Sequence, residues 1–128
     1  MTHGFLVVDK PGGVTSHDVV AKARKELNTR KIGHAGTLDP MATGLLPVCL
    51  GEATKYSQDL LDADKTYLAT IKFGEKTDTG DAEGEVVETR QPDFDVSNVT
   101  LLQGKLLEVA AKFTGDIEQI PPMYSALK

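Results

Sequence analysis

No segment limits the fold of this chain more than Gly33–Gly44, GHAGTLDPMATG. Three glycines and Pro40 within twelve residues argue against a helix interior or a regular strand there. Glycine loses the most backbone freedom on ordering, and proline has no N–H to give to a ladder or a helical turn. The segment therefore reads as a loop between two short apolar runs. It nevertheless carries Leu38 and Met41, which a solvated turn seldom holds, and a single carboxylate, Asp39, between Leu38 and Pro40. Two readings are open. Asp39 bonds nearby backbone N–H groups in an ordinary turn, or a rigid bend presents it to a ligand that the glycines allow to come close.

The runs around this loop are short. Gly4–Val8 (GFLVV) predicts a buried strand, ended by the DKPGG turn at Asp9–Gly13. Thr15 followed by Asp18 predicts a capping-box helix start, with Val19, Val20, Ala23 and Leu27 on one face and an end at Asn28–Thr29. Leu45–Leu50 (LLPVCL) predicts a strand that Pro47 confines to a sheet edge. Glu52–Ala63 suits a helix with Tyr56, Leu60 and Leu61 facing inward. Lys65–Phe73 alternates, placing Tyr67, Ala69, Ile71 and Phe73 on one face of a strand. Lys76–Gly84 reads as a polar turn and Glu85–Thr89 as the return strand. Ser97 is positioned to cap a helix over Val99–Phe113, which Gly115 closes. Beyond it the chain is irregular around Pro121–Pro122. Short strands separated by uneven helices, without a regular βαβ repeat, imply an α+β fold with a mixed β-sheet flanked by helices.

Composition bounds the setting. A length of 128 residues suffices for one domain with a real core. Cys49 is the single cysteine, which excludes an internal disulfide framework and points to a reducing compartment. No apolar run reaches the length of a membrane span, and the N-terminus has no basic flank of the signal-peptide kind. A cytoplasmic protein with no membrane partner is expected. The net charge of −5 argues against nucleic-acid binding over the whole surface. That charge is unevenly spread, with +3 over residues 1–31 and −8 over the remainder, so the basic stretch leads straight into the glycine-rich loop.

The familiar catalytic patterns are missing. His3, His17 and His34 lie far apart and no paired His/Cys spacing exists, so no metal site is expected. Asp78–Glu85 lacks the alternating ligands and terminal Glu of a calcium loop. DKPGG lacks the GK[ST] ending of a phosphate-binding loop, and nothing resembles a nucleophile elbow. A lone positioned carboxylate, without metal or second acid, suits covalent catalysis at a sugar carbon better than the two-acid glycosidase scheme.

Three stretches then carry a resemblance: HGFLVVDKPGGVTSHDVV, RKIGHAGTLDPMATGLLPVCLGEATK and DKTYLATIKFGEKTDTGDAEGEVV. In order and spacing they resemble successive motifs of the bacterial tRNA pseudouridine synthase B family, and GDIEQIPPMYSALK is similar to its next block. The resemblance covers nearly the whole chain. It implies the catalytic fold of pseudouridine synthases and the isomerisation of the T-loop uridine at position 55 of tRNA, with no cofactor. By the same resemblance, Asp39 in the GTLDP motif is the catalytic aspartate. Tyr67 is the active-site tyrosine, stacking on a uridine flipped out of its loop. His34 contacts the RNA from the glycine-rich loop. Thr37, in the same motif, together with Lys10, Arg30, Lys31 and Lys65, is expected to contact RNA, the basic residues at phosphates. Tyr67 read from the alternating pattern alone is simply an inward strand residue.

The family's chain is more than twice this length. The resemblance therefore implies that residues 1–128 are the N-terminal portion of the catalytic domain, and that the remaining catalytic half and a C-terminal RNA-binding domain lie outside it. An arginine partner for Asp39 would come from that remainder, so this chain alone is expected to be inactive and to self-associate through uncovered apolar edges. A non-catalytic module that grips the T-loop is the alternative reading.

Overall fold

The computed structural model describes residues 2–121 and divides the chain into two compact units, Met1–Tyr67 and Leu68–Lys128. Pro122–Lys128, the end of the GDIEQIPPMYSALK block, lies outside the described residues.

The first unit contains strand β1 (Gly4–Lys10), helix α1 (Ser16–Glu26), strands β2 (Ile32–His34) and β3 (Gly44–Leu50), a 3-10 helix (Gly51–Tyr56) and helix α2 (Ser57–Leu61). The α1 start is the capping box that its sequence predicts. The Asp18 N–H donates to Thr15 Oγ1 at 3.0 Å, and the Thr15 N–H donates back to Asp18 Oδ2 at 2.9 Å. The Thr15 N–H first, and the nearby Thr15 hydroxyl second, hold the Asp18 carboxyl below its usual range. The helix gives way at Asn28, whose φ of 46° is the left-handed conformation that asparagine tolerates. Val20 and Ala23 project from α1 onto Ile32, Leu46, Val48 and Leu50 of the sheet, and this is the main core.

The sheet runs β1-β3-β2 with antiparallel pairing throughout. Two expectations change here. β3 lies at the centre and not at an edge, because the ring nitrogen of Pro47 faces a place where no ladder bond is needed. A strand residue's nitrogen and carbonyl point to the same side, and the Pro47 carbonyl accepts from the Ala35 N–H at 2.9 Å, just past the end of β2 at His34. Conversely, β1 is an edge strand and not a buried one, with Phe5 and Val7 exposed. On the far face of the sheet, Cys49 packs with Ala35, Ala53 and the partly buried Leu60. Burial raises the Cys49 thiol above its ordinary pKa.

The helix expected over Glu52–Ala63 begins as a 3-10 turn and is α-helical only from Ser57. Of Tyr56, Leu60 and Leu61, only Leu60 turns inward; Tyr56 and Leu61 are exposed, and Tyr56 meets Phe5 edge-on at 6.5 Å between ring centroids.

The second unit contains the antiparallel hairpin of β4 (Glu75–Thr77) and β5 (Val86–Thr89), and helix α3 (Val99–Ala111). The polar turn is built by its acids. Asp78 Oδ1 accepts the Glu85 N–H, and Asp81 Oδ1 accepts the Glu83 N–H, each at 2.9 Å. Asn98, not Ser97, caps α3: the Leu101 N–H donates to Asn98 Oδ1, while the Ser97 hydroxyl is already spent on Asp95. The strand expected over Lys65–Phe73 does not form. Alternation requires a ladder partner as well as a pattern, and no ladder among the described residues includes this segment, whose Leu68 and Ile71 stand in solvent. The architecture is α+β.

Candidate functional site

Asp39 is held entirely through its backbone. β2 delivers the chain into the loop, and Gly36 turns it at φ 111°, a conformation that favours glycine. The His34 ring donates from Nδ1 to the Gly36 carbonyl, which fixes that ring within the bend. On one side of Asp39, the Leu38 N–H donates to Ser16 Oγ at 3.0 Å, and the same hydroxyl donates to the Leu38 carbonyl at 3.2 Å. On the other side, the Pro40 carbonyl accepts the Gly13 N–H at 2.7 Å and Lys10 Nζ at 3.2 Å. The Ala42 N–H closes the turn on the Asp39 carbonyl at 2.9 Å, with Pro40 in the second position that its fixed φ favours. The Leu38 side chain packs against the main core. Among the described residues, the Asp39 carboxylate takes part in no hydrogen bond or ion pair, and it is exposed.

Lys10 does not offer the phosphate contact expected of it. It is fully buried, and its ammonium donates to the carbonyls of Pro11 (2.9 Å), Val14 (2.7 Å) and Pro40 (3.2 Å). A lysine ammonium has three hydrogens to give, and all three have acceptors. The residue thus ties the DKPGG turn to the Asp39 loop from within.

Beside the loop lies a cavity of ≈ 510 Å³ lined by Gly36, Thr37, Leu38, Thr43, Leu45, Lys65 and Tyr67 among others. Three of the residues singled out by sequence, Thr37, Lys65 and Tyr67, thus meet at one concavity, whose wall includes Leu38 immediately before Asp39. Leu46, Pro47 and Leu60 give it an apolar floor. Lys65 Nζ donates to the carbonyls of Leu61 (2.5 Å) and Ala63 (2.8 Å), capping the end of α2 where the helix dipole favours a cation. That cap steadies the approach to Tyr67, which is itself exposed.

Asp39 itself, with His34, Lys10, Arg30 and Lys31, lies outside the cavity wall. Arg30 is exposed. Lys31 pairs with Glu52 at 2.6 Å, and Glu52 also pairs with Lys55. The bonds and charges of these two lysines pull the Glu52 carboxyl down to about 2. Among the described residues, no group of three or more His, Cys, Asp or Glu could hold a metal ion. No helix among them is long and apolar enough to cross a membrane.

Two members of the scaffold are not signalled by the motifs: Ser16, whose hydroxyl holds Leu38, and Arg24, which donates from Nη2 to the Ile32 carbonyl at 2.8 Å. A hydroxyl directly after the capping Thr15, redundant for the helix, was the available signal for Ser16.

A family model described as TruB family pseudouridylate synthase (N terminal domain) matches residues 24–128. The chain belongs to the TruB family. Among its TruB-family relatives, the tRNA pseudouridine synthase B of Cupriavidus metallidurans is 57% identical over 126 residues, which is 98% of this chain and 38% of the relative. The proteins of the same name from Dechloromonas aromatica (57% identical, 98% and 40% covered) and Haemophilus influenzae (54% identical, 98% and 38% covered) align equally fully. This TruB-family chain therefore spans about two-fifths of the length of the curated relatives it matches. Among solved structures, a crystal structure of a Cbf5-Nop10-Gar1 complex aligns with 98% of this chain and 31% of its own, at 32% identity and a TM-score of 0.58.

Proposed function

We propose that this chain is the N-terminal portion of the catalytic domain of a tRNA pseudouridine synthase that isomerises the T-loop uridine at position 55. The remaining catalytic half and an RNA-binding domain lie beyond these residues. The observation that carries the reading is the treatment of Asp39: the backbone on each side of it is fixed, its carboxylate has no partner among the described residues, and its neighbour Leu38 lines the same cavity as Tyr67. A carboxylate serving only its own turn would be bonded within it.

In this reading the target uridine leaves its stack and enters the cavity. Tyr67 supplies the stacking platform, a contact worth about 1–3 kcal/mol per base. Asp39 engages C1′ of the ribose. The C1′–N1 bond breaks, the base turns, a C1′–C5 bond forms, and the C5 proton is lost as N1 gains one. Nothing is oxidised and no water is consumed, so the chemistry calls for no cofactor. Thr37 and His34 contact the RNA around the loop, while Arg30, Lys31 and Lys65 supply positive charge toward phosphates. Lys10 contributes by holding Pro40. The setting is cytoplasmic. Alone, the 128-residue chain has little activity and self-associates through Phe5, Val7 and other uncovered apolar residues.

Asp39→Asn in the full-length protein tests the assignment. Pseudouridine formation on an unmodified tRNA transcript should fall below detection, while tRNA affinity stays within a few-fold. Unchanged product formation would overturn the assignment. If neither parent nor variant alters the RNA, yet both bind it, the chain belongs to a non-catalytic T-loop-binding module.

A further inference from the structure

We propose that Ser16 is a positioning residue for Asp39, an inference that rests on the catalytic role assigned to Asp39 above. Ser16 is the first residue of α1 and 3% exposed. Its hydroxyl both accepts from the N–H and donates to the carbonyl of Leu38, across 22 residues of sequence. Both polar backbone groups of one residue are thus held by one oxygen. The Leu38 carbonyl belongs to the peptide plane that leads into Asp39, so fixing that plane fixes the direction in which the aspartate leaves the chain. Pro40 is fixed on the other side by the Gly13 N–H and Lys10.

Two observations separate this role from ordinary structural support. The helix does not need the Ser16 hydroxyl, because Thr15 already caps the Asp18 N–H. The loop does not need it as its anchor either, because the Leu38 side chain packs against the core independently. Loss of the hydroxyl should therefore leave the loop in place and free the peptide before Asp39 to rotate. Misplacement of a reacting group by about 1 Å can lower a rate by about 100-fold. A side chain that both donates and accepts is required, and a hydroxyl does both.

The experiment compares Ser16→Ala, Ser16→Thr and Asp39→Asn in the full-length protein by single-turnover pseudouridine formation with enzyme in excess over tRNA transcript. Thermal melting and tRNA affinity are measured alongside. Single-turnover rates at saturating enzyme report on productive complexes and are insensitive to an unfolded fraction. The expected result is a rate lowered about 10- to 100-fold in Ser16→Ala, with tRNA affinity within about threefold of the parent and a substantial recovery in Ser16→Thr. If Ser16→Ala melts below the assay temperature, Ser16→Cys replaces it, and its rate should fall below that of Ser16→Thr because a thiol bonds weakly. A Ser16→Ala or Ser16→Cys rate within twofold of the parent, with Asp39→Asn inactive, overturns the role of Ser16 alone. So does a loss carried by tRNA affinity, or a lack of recovery in a folded Ser16→Thr. An active Asp39→Asn overturns the underlying assignment, and the inference with it.

Discussion

The two units of this chain differ less in composition of apolar residues than in what they do with them. Among the described residues, every buried side chain lies at or before Ala53. In Met1–Tyr67, helix α1 and a three-stranded sheet close on Val20, Ile32, Leu46, Val48 and Leu50. In Leu68–Lys128, α3 has no buried residue, and Leu107 and Val87 are exposed at 73% and 60%. Patterning supplies the apolar residues, and burial additionally needs a second layer at packing distance. The candidate site follows the same division. Asp39 is mounted where a core and a fully bonded lysine make the backbone rigid, and positional accuracy is what such a site requires.

Core truncation is the sharpest way to break this contrast. Leu46→Ala removes a fully buried side chain at the centre of the sheet and should lower unfolding stability by about 2–5 kcal/mol. Leu107→Ala removes an equal volume from an exposed helix position and should stay within about 0.5 kcal/mol. Denaturant unfolding followed by circular dichroism measures both. A loss above about 2 kcal/mol at Leu107 would mean that the second unit has a core that these residues do not reveal.

Legibility divides along the same line. The capping box, the main helix, the DKPGG turn and the glycine-rich loop were readable because their causes are local: a hydroxyl three residues from its N–H, a proline, a glycine at positive φ. The central place of β3 was not, because it depends on which side of the strand Pro47 turns toward and on β2 ending at His34. The strand expected over Lys65–Phe73 failed for a related reason, since alternation states which face is apolar and says nothing about whether an edge is available to pair with it. At the site, motif residues Thr37, Lys65 and Tyr67 were legible and do gather at one cavity. The backbone clamp of Ser16 and the inward turn of Lys10 were not, because contacts across 22 and 30 residues leave no periodic trace.

A subtler comparison uses the two side-chain helix caps. Thr15 and Asn98 each accept a backbone N–H three residues on. Thr15→Ala should lower cooperative unfolding stability by about 1 kcal/mol, because α1 is part of the core-bearing unit. Asn98→Ala removes the same kind of bond from a helix that buries nothing, so its effect should appear as faster amide exchange in the first turn of α3, with the cooperative midpoint unmoved. Equal shifts of the midpoint would show that α3 unfolds together with the core.

The smallest effect expected is electrostatic and marks where the first unit meets solvent. Glu52 ionises at about 2 in the folded chain, against an ordinary value of 4.5, because Lys31 and Lys55 bond and attract its carboxylate. A depressed folded value means that the unfolded chain binds the proton first as pH falls. The stabilisation is therefore fully present above about 4.5 and is lost progressively toward 2. All three side chains are substantially exposed, so water and salt screen the pair and the contribution is small. Glu52→Gln should flatten this part of the acid-unfolding curve at low ionic strength, and the difference from the parent should shrink in 0.5 M salt, where the screening length is only about 4 Å. A difference that persists in salt would instead assign the effect to the short-range hydrogen bonds that Lys31 and Lys55 donate to the Glu52 carboxylate, which salt screens less than it screens the longer-range attraction between the charges.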